Sequence, residues 1–191
     1  MGVGFVSSTP GSRTCASEIG YYSTPYVYAL RSQCPGSGTQ EISEIGVYTR
    51  LYSPGSGTVR LVLLEDDSAN GSPSATQVTN SDTGTITVNN TSYAKKSYTY
   101  ATKPQLTGGS YYWIACAWYA ASLTHYISYN ASGGTGAQLM SMAWPADSSW
   151  HSAENSYTYD LYAVYAEVLA GHPARKRLAG NPFTPFRKGV W

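Results

Sequence analysis

Charged residues are scarce in this chain. Lys, Arg, Asp and Glu make up 12% of its 191 residues, about half the share of an ordinary soluble domain. In their place stand 25 Ser, 19 Thr, 19 Gly and 18 Tyr. Tyr and Thr suit a pleated, half-buried surface, whereas Ser and Gly interrupt helices and supply turns. This composition excludes a mainly helical protein, and a hydrophobic share of 42% excludes a disordered one.

Cysteine is also scarce, with three residues. Cys15 and Cys34 lie in turn-rich sequence and could form a disulfide. Cys116 lies in an apolar run and is expected to be a small buried hydrophobe. The odd count does not fit a disulfide scaffold, and the spacing does not fit a metal site. We therefore expect neither a metal nor a cofactor.

The few charges are unevenly distributed. Residues 1–174 hold seven Lys or Arg and eleven Asp or Glu, a net charge of −4 (7 − 11), whereas residues 175–191 hold five basic residues and no acidic one, a net charge of +5. An acidic body with a basic tail favours attraction between copies, so we expect a homo-oligomer. Nucleic acid is the weaker alternative, because five charges without a basic groove make a small electrostatic footprint.

Export and membrane segments are not recognisable. Residues 1–6 have no charged region followed by a sustained apolar stretch, so no signal peptide is expected. The longest largely apolar run, 111–121, is too short to span a bilayer. Ser/Thr/Tyr-rich β proteins commonly act outside cells. Without an export signal, such a protein is expected to be made in a host cytoplasm and released by lysis, as virion proteins are.

Strand-like segments recur every ten to fifteen residues, with turn residues between them. The predicted strands are 26–31, 42–52, 58–65, 85–88, 97–101, 110–118, 125–129, 137–142 and 157–168. Segment 110–118 is the most apolar and is predicted to be central. No segment shows helical periodicity. The pattern predicts an all-β, antiparallel two-sheet sandwich, jelly-roll-like, with an extended non-regular C-terminal tail.

Two of these segments, 42–52 and 58–65, are predicted to form an antiparallel hairpin. Both alternate apolar residues at period two, and the Pro-Gly-Ser-Gly turn at 54–57 separates them. Segment 157–168 alternates as well, and its second face, which includes Tyr162, is unusually aromatic for a surface in water.

The chain is expected to divide into three parts. Residues 1–40 form an N-terminal arm with the first strand or strands, residues 41–169 form the sandwich, and residues 170–191 form an interaction tail. Three prolines and three glycines prevent regular structure in the tail, although its apolar side chains are costly to leave in water. We expect it to grip a neighbouring subunit, the alternative being that it packs on its own sandwich. The expected contact residues are Arg175, Lys176, Arg177, Leu178, Phe183, Phe186, Arg187, Lys188 and Trp191.

Three blocks resemble a recurrent β-sandwich module that carries a VRLgIYdd-sGsPg hairpin, an L-aGtYWlA strand and a closing Y-lYA-Y strand. The matching blocks are 58–73 (TVRLVLLEDDSANGSP), 106–117 (LTGGSYYWIACA) and 159–165 (YDLYAVY). The resemblance covers about residues 41–168. Such modules are similar to those of tailed-phage virion structural proteins and bacterial adhesin-like surface proteins, and they are generally non-catalytic. The resemblance implies an architecture and a setting, and it assigns no site residues.

An acidic loop follows the second hairpin segment. Asp66, Ser68, Asn70 and Gly71 match the early spacing of a calcium loop. Such a loop needs a bidentate Glu at its twelfth position, where this chain has Gln77. The sequence therefore favours a hairpin turn that uses Asp, Asn and Gly for local hydrogen bonds and positive φ.

Catalytic residues do not converge in the sequence. His125, His151 and His172 stand far apart, and a Ser–His–Asp set can always be drawn in a chain with 25 serines. Asp147 and Glu154 are a conceivable carboxylate pair for glycoside hydrolysis, with nothing to support their separation. We therefore expect no enzymatic activity.

Aromatic residues concentrate near strand ends and in the loop 143–156. A row of exposed rings could stack on sugar faces while Asn, Asp and His bind hydroxyls. The alternative is that the rings fill the sandwich or cover its edge. The candidate glycan-binding residues are Trp118, Tyr119, Tyr126, Trp144, Trp150 and His151.

Taken together, these features predict a non-enzymatic structural component of a tailed-phage virion. We expect a decoration or accessory protein of the capsid or tail that assembles through its C-terminal tail with its own copies and with other virion proteins. The alternative is a carbohydrate-binding, adhesin-type module that recognises glycans through exposed aromatics. Neither a nucleic acid nor a membrane is expected as a partner.

Overall fold

The computed structural model describes residues 4–11, 17–21, 26–67, 72–119, 125–130, 137–141, 151–154 and 158–168. These ranges contain fifteen strands and no helix. The strands are β1 Gly4–Val6, β2 Ser17–Tyr21, β3 Tyr26–Gln33, β4 Thr39–Leu51, β5 Gly57–Asp67, β6 Ser72–Gln77, β7 Ile86–Val88, β8 Ala94–Thr99, β9 Gln105–Thr107, β10 Tyr111–Tyr119, β11 His125–Asn130, β12 Ala137–Ser141, β13 His151–Glu154, β14 Thr158–Tyr159 and β15 Leu161–Glu167.

The strands form two sheets. Sheet I has eight strands in the order β1-β15-β4-β11-β14, with β2 paired to β11 and with β8 and β9 paired to β4. Sheet II has seven strands in the order β13-β12-β3-β10-β5-β6, with β7 paired to β5. Among the described pairs, β1 with β15 is parallel and the others are antiparallel. The predicted all-β two-sheet sandwich is confirmed.

The main core lies between the two sheets. Leu61 and Leu63 of β5 and Ile114 and Cys116 of β10 alternate with outward residues and are fully buried. Burying one such aliphatic side chain stabilises the fold by about 1.5–3 kcal/mol. The period-two pattern in the sequence thus places the interior side chains on the inner faces of both sheets.

The outward face of sheet II carries a second apolar cluster. It consists of Val27, Ala29, Val62, Leu64, Trp113, Ala115 and Ala117, and these side chains are buried. Strand β10 is therefore buried on both faces, as is typical of a central strand. It pairs with β3 on one side and β5 on the other, which confirms that segment 110–118 is central.

The predicted hairpin between segments 42–52 and 58–65 is wrong, although both segments are strands. β4 belongs to sheet I and β5 belongs to sheet II, so the turn between them carries the chain across the sandwich. Alternation at period two determines which side chains face the core, and it does not select the neighbouring strand. Leu51 and Val59 are both buried in the main core, which they enter from opposite sheets.

Five described strands fall outside the predicted segments: β1, β2, β6, β9 and β13. Each is three to six residues long, and none has a sustained apolar alternation in its sequence. Their strand character comes from pairing with stronger neighbours, as when β6 adds to β5 at the edge of sheet II. The first 40 residues contribute β1, β2 and β3 to the two sheets.

The N-terminal segment covers part of the outer face of sheet I. Val6 packs against a small cluster formed by Tyr48, Tyr162 and Val164. The Tyr48 hydroxyl lies within hydrogen-bond distance of the carbonyl oxygens of Pro10 and Gly11. This cover explains why the second face of segment 157–168 is aromatic.

The expected interaction tail, residues 170–191, lies outside the described residues. The last described residue, Val168, donates its backbone N–H to the carbonyl oxygen of Thr39 at 2.9 Å. The described part of the chain therefore ends beside the start of β4. Within the described part of the chain, no helix has the length and apolar character needed to cross a membrane.

A candidate aromatic binding surface

One end of the sandwich collects several of the expected glycan-binding residues. We call it the aromatic end and define it by Leu51, where β4 ends, and His125, where β11 begins, which are register partners. Trp118 and Tyr119 end β10 here, opposite Val59 and Thr58 at the start of β5. The side chains of Trp118 and Tyr119 lie outside the described set.

The other expected glycan-binding residues are placed less fully. His151 begins β13 and pairs through its backbone with Leu139, and its side chain is outside the described set. Trp144 and Trp150 lie outside the described residues. Tyr126, on β11 in sheet I, is the residue of the six whose side chain contacts are described.

Tyr126 belongs to a surface group that we call the tyrosine–arginine cluster: Arg50, Tyr52, Tyr93 and Tyr126. The Arg50 guanidinium carbon lies 4.5 Å from the Tyr126 ring centroid and 5.6 Å from that of Tyr93. The Tyr52 and Tyr126 ring centroids are 6.0 Å apart, with the planes inclined at 48°. A cation over an aromatic face stabilises by about 0.5–1 kcal/mol at an exposed site, so Arg50 orders two of the three rings.

Strand pairing brings these residues together. Arg50 and Tyr126 are register partners between β4 and β11, and Ala94, which follows Tyr93, pairs with Thr49 on the other side of β4. Residues 50 and 52 project to the same face of β4 because side chains alternate. The cluster thus spans three chain segments that are far apart in sequence.

Backbone contacts fix the loop that carries Tyr93. Asn90 donates its side-chain amide to the carbonyl oxygens of Thr49 at 2.7 Å and Ser92 at 2.8 Å. The Leu51 N–H donates to the Asn90 carbonyl oxygen at 2.8 Å, and the Thr49 hydroxyl donates to the Tyr126 carbonyl oxygen at 2.8 Å. These bonds hold the 89–93 segment and β11 against the end of β4, so the rings rest on a defined backbone.

Sequence reasoning found Tyr126 and missed Arg50, Tyr52 and Tyr93. The available signal was local: Tyr52 stands two residues after Arg50, so an extended chain places both side chains on one face, and Tyr52 lies just before the turn at 54–57. That signal marks a tyrosine at a strand end, and it says nothing of Tyr126 or Tyr93, because their approach depends on which strands pair with β4.

His125 lies at the aromatic end but points inward. Its side chain is buried and lies on the same side of β11 as Ile127, which belongs to the main core. Burial lowers the pKa of His125 to about 4. The imidazole is therefore neutral at physiological pH and serves as part of the interior.

The expected turn of the acidic loop, residues 68–71, lies outside the described residues. β5 and β6 pair on either side of it, with Asp67 opposite Ser72. The Asp66 carboxylate accepts two hydrogen bonds from Arg31, at 2.8 and 2.7 Å, and one from the Trp113 indole N–H at 2.6 Å. The Arg31 hydrogen bonds are the main reason that the pKa of Asp66 is lowered. This carboxylate links β3, β5 and β10.

Other acidic side chains are likewise engaged in the fold. Glu44 accepts hydrogen bonds from Thr9 at 2.9 Å and from Tyr162, and buried Asp160 accepts one from Ser128 at 2.5 Å. Within the described residues, no three His, Cys, Asp or Glu side chains are grouped to hold a metal ion. Of the conceivable pair for glycoside hydrolysis, Asp147 lies outside the described residues and Glu154 is described only as backbone at the end of β13.

Two cysteines are described, and both are buried free thiols. Burial raises the pKa of Cys34 to about 11, and it raises the pKa of Cys116 further. Cys116 lies in the main core, as predicted. Cys15, the expected disulfide partner of Cys34, lies outside the described residues.

No protein-family model matches this chain. A comparison with curated proteins also finds no match.

Proposed function

We propose that this chain is a non-enzymatic structural component of a tailed-phage virion, a decoration or accessory protein of the capsid or tail. It is made in the host cytoplasm and joins the particle as a homo-oligomer through residues 170–191. The two-sheet sandwich is the scaffold, and the tail, with its +5 charge and its apolar side chains, is the attachment segment.

The observation that carries this proposal is that Val168, the last described residue, and the aromatic end lie at opposite ends of the sandwich. Val168 leads into the tail beside Thr39, at the start of β4, whereas Tyr52 follows the other end of the same strand. Thirteen residues of strand separate the two ends, which is about 40 Å. The scaffold can therefore be held at one end while its aromatic end remains available.

The first test of the proposal removes the tail. We expect a chain truncated after residue 170 to keep its β-sheet circular dichroism and to lose both self-association in sedimentation and co-purification with phage particles. Because truncation could also disturb folding, the full-length chain with Arg175, Lys176 and Arg177 changed to Glu is the second variant. It should fold and fail to associate, since the acidic body then repels the tail.

The proposal is wrong if the folded truncated chain associates and enters particles as the unaltered chain does. A folded triple-Glu variant that does so would exclude the basic residues as the contacts of the tail. A chain that is monomeric at every concentration, with or without its tail, would overturn the proposal equally. The matched control replaces Lys95, Lys96 and Lys103 of the sandwich with Glu, which makes the same charge change outside the tail.

A second candidate function is glycan binding, favoured by the tyrosine–arginine cluster. Tyr52 is 62% exposed and stands beside Tyr126. If the module presents these rings on the surface of a particle, the rings would attach that particle to a surface polysaccharide.

A further inference from the structure

We infer that the tyrosine–arginine cluster is a binding site for neutral pyranose units of a polysaccharide, with Tyr52 as the stacking ring. This inference rests on the second candidate function above and names its site and its ligand class. It adds Arg50, Tyr52 and Tyr93 to the residue expected from the sequence, Tyr126.

Exposure is the first observation. Tyr52 is the most exposed of the described large hydrophobic side chains, at 62%, compared with 43% for Tyr111. An apolar face of this kind in water marks a contact surface when it is grouped with others. Tyr126 and Tyr93 provide that group, at the same end of β4.

Order is the second observation. Arg50 stacks on Tyr126 and approaches Tyr93, and the Asn90 and Thr49 hydrogen bonds fix the backbone on both sides. A tyrosine has few rotatable bonds, so a ring ordered before binding loses little entropy when a ligand arrives. Arg50 is thus a positioning residue for Tyr126, whose ring centroid lies 6.0 Å from that of Tyr52, and Tyr52 makes the contact.

The chemistry of the exposed rings indicates the class of ligand that the cluster binds. One face of a pyranose presents C–H groups that stack on an aromatic ring, while its rim of hydroxyls needs donors and acceptors, which phenol hydroxyls and the loop backbone supply. A polyanion is disfavoured, because Arg50, the one cation of the cluster, already lies over Tyr126 and donates to the Leu51 carbonyl oxygen, and the surrounding body, residues 1–174, carries a net charge of −4. A neutral polysaccharide is not subject to this charge repulsion.

The test uses affinity electrophoresis of the full-length chain in gels that contain a neutral β-glucan, galactan or mannan. We expect at least one of them to retard the chain, and Tyr52→Ala to weaken that binding about tenfold, or about 1.4 kcal/mol. The melting temperature should be unchanged because Tyr52 is exposed. Tyr111→Ala is the matched control. Tyr111 is also exposed, its ring centroid lies 4.1 Å from the guanidinium carbon of Arg31, and both residues lie at the opposite end of the sandwich from Tyr52. Tyr111→Ala should leave binding unchanged.

The outcomes separate the site from the function. If the unaltered chain binds a neutral polysaccharide and Tyr52→Ala binds equally, the site is wrong while glycan binding stands. If the chain is retarded by none of the three, or only by a polymer of uronic acid or by single-stranded DNA, both the inference and the second candidate function fail. The tail assays are unaffected by either result.

Arg50 gives an independent test of positioning. Arg50→Met should weaken polysaccharide binding while Arg50→Lys restores part of it, because a lysine ammonium can also lie over a ring. An equal loss of binding in both variants, or none in either, would contradict the positioning role.

Discussion

At the scale of single residues, Gly46 shows how closely sheet I is packed on its outer face. A Cβ atom at this position would collide with the ring of Tyr162, its register partner on β15. The absent side chain lets the Tyr162 ring lie across β4 and reach Glu44 with its hydroxyl. The residue pair therefore shapes the small cluster that the N-terminal segment covers.

His125 makes stability depend on pH. Its pKa is about 4 in the folded chain and about 6.5 in the unfolded chain. Between these values the unfolded state binds the proton and the native state does not, so stability is fully present above about pH 6.5 and is lost as the pH falls towards 4. We expect a loss of about 2–3 kcal/mol across this window.

Urea unfolding at about pH 7 and about pH 4.5 measures this loss. The His125→Gln variant should show a much smaller difference between the two pH values, whatever its absolute stability. Asp66 contributes little to the stability difference between these two pH values. Its pKa is lowered by Arg31, so its contribution is present above the unfolded value of about 3.9 and is lost only at lower pH. An unchanged pH dependence in the variant would assign the effect to another group.

At the scale of elements, Asp66 joins three neighbouring strands of sheet II. Its side chain is 8% exposed, and it bonds Arg31 of β3 and Trp113 of β10 from its own place on β5. Asp66→Asn should lower the free energy of unfolding by about 1–3 kcal/mol, since it weakens charge-assisted bonds in a poorly solvated place.

Glu41→Gln is the matched control for this ion pair. Glu41 bonds Lys103 at 3.0 Å, but the two side chains are 31% and 46% exposed, so its loss should cost less than about 0.5 kcal/mol. Denaturant unfolding of both variants at neutral pH compares them. Equal losses would mean that Asp66 acts as an ordinary surface charge.

Elements also show what the sequence can and cannot predict. The alternation in β4, β5 and β10 is strong enough to locate these strands, because each buries an aliphatic row in the core. The partners of β4 could not be predicted, since the Pro-Gly-Ser-Gly turn at 54–57 fits a hairpin as well as a crossing between sheets. The tyrosine–arginine cluster depends on those partners, so only Tyr126 could be proposed from the sequence.

At the scale of the whole molecule, the uneven charge predicts how copies attract one another. If the basic tail of one copy meets the acidic body of another, association should weaken as salt rises from about 0.05 to about 0.5 M, where the screening length falls severalfold. Sedimentation velocity at both salt concentrations measures it. Association that does not change with salt would make the apolar tail residues, such as Phe183 and Trp191, the dominant contacts.

The parallel pairing of β1 with β15 has a consequence for folding during synthesis on the ribosome. Gly4–Val6 finds its partner at Tyr162–Val164, so the ribosome must add more than 150 residues between the two. At about 5–20 residues per second this takes roughly 8–30 s. Throughout that interval β1 lacks its pairing partner, and this pair of sheet I can form only after β15 has been synthesised.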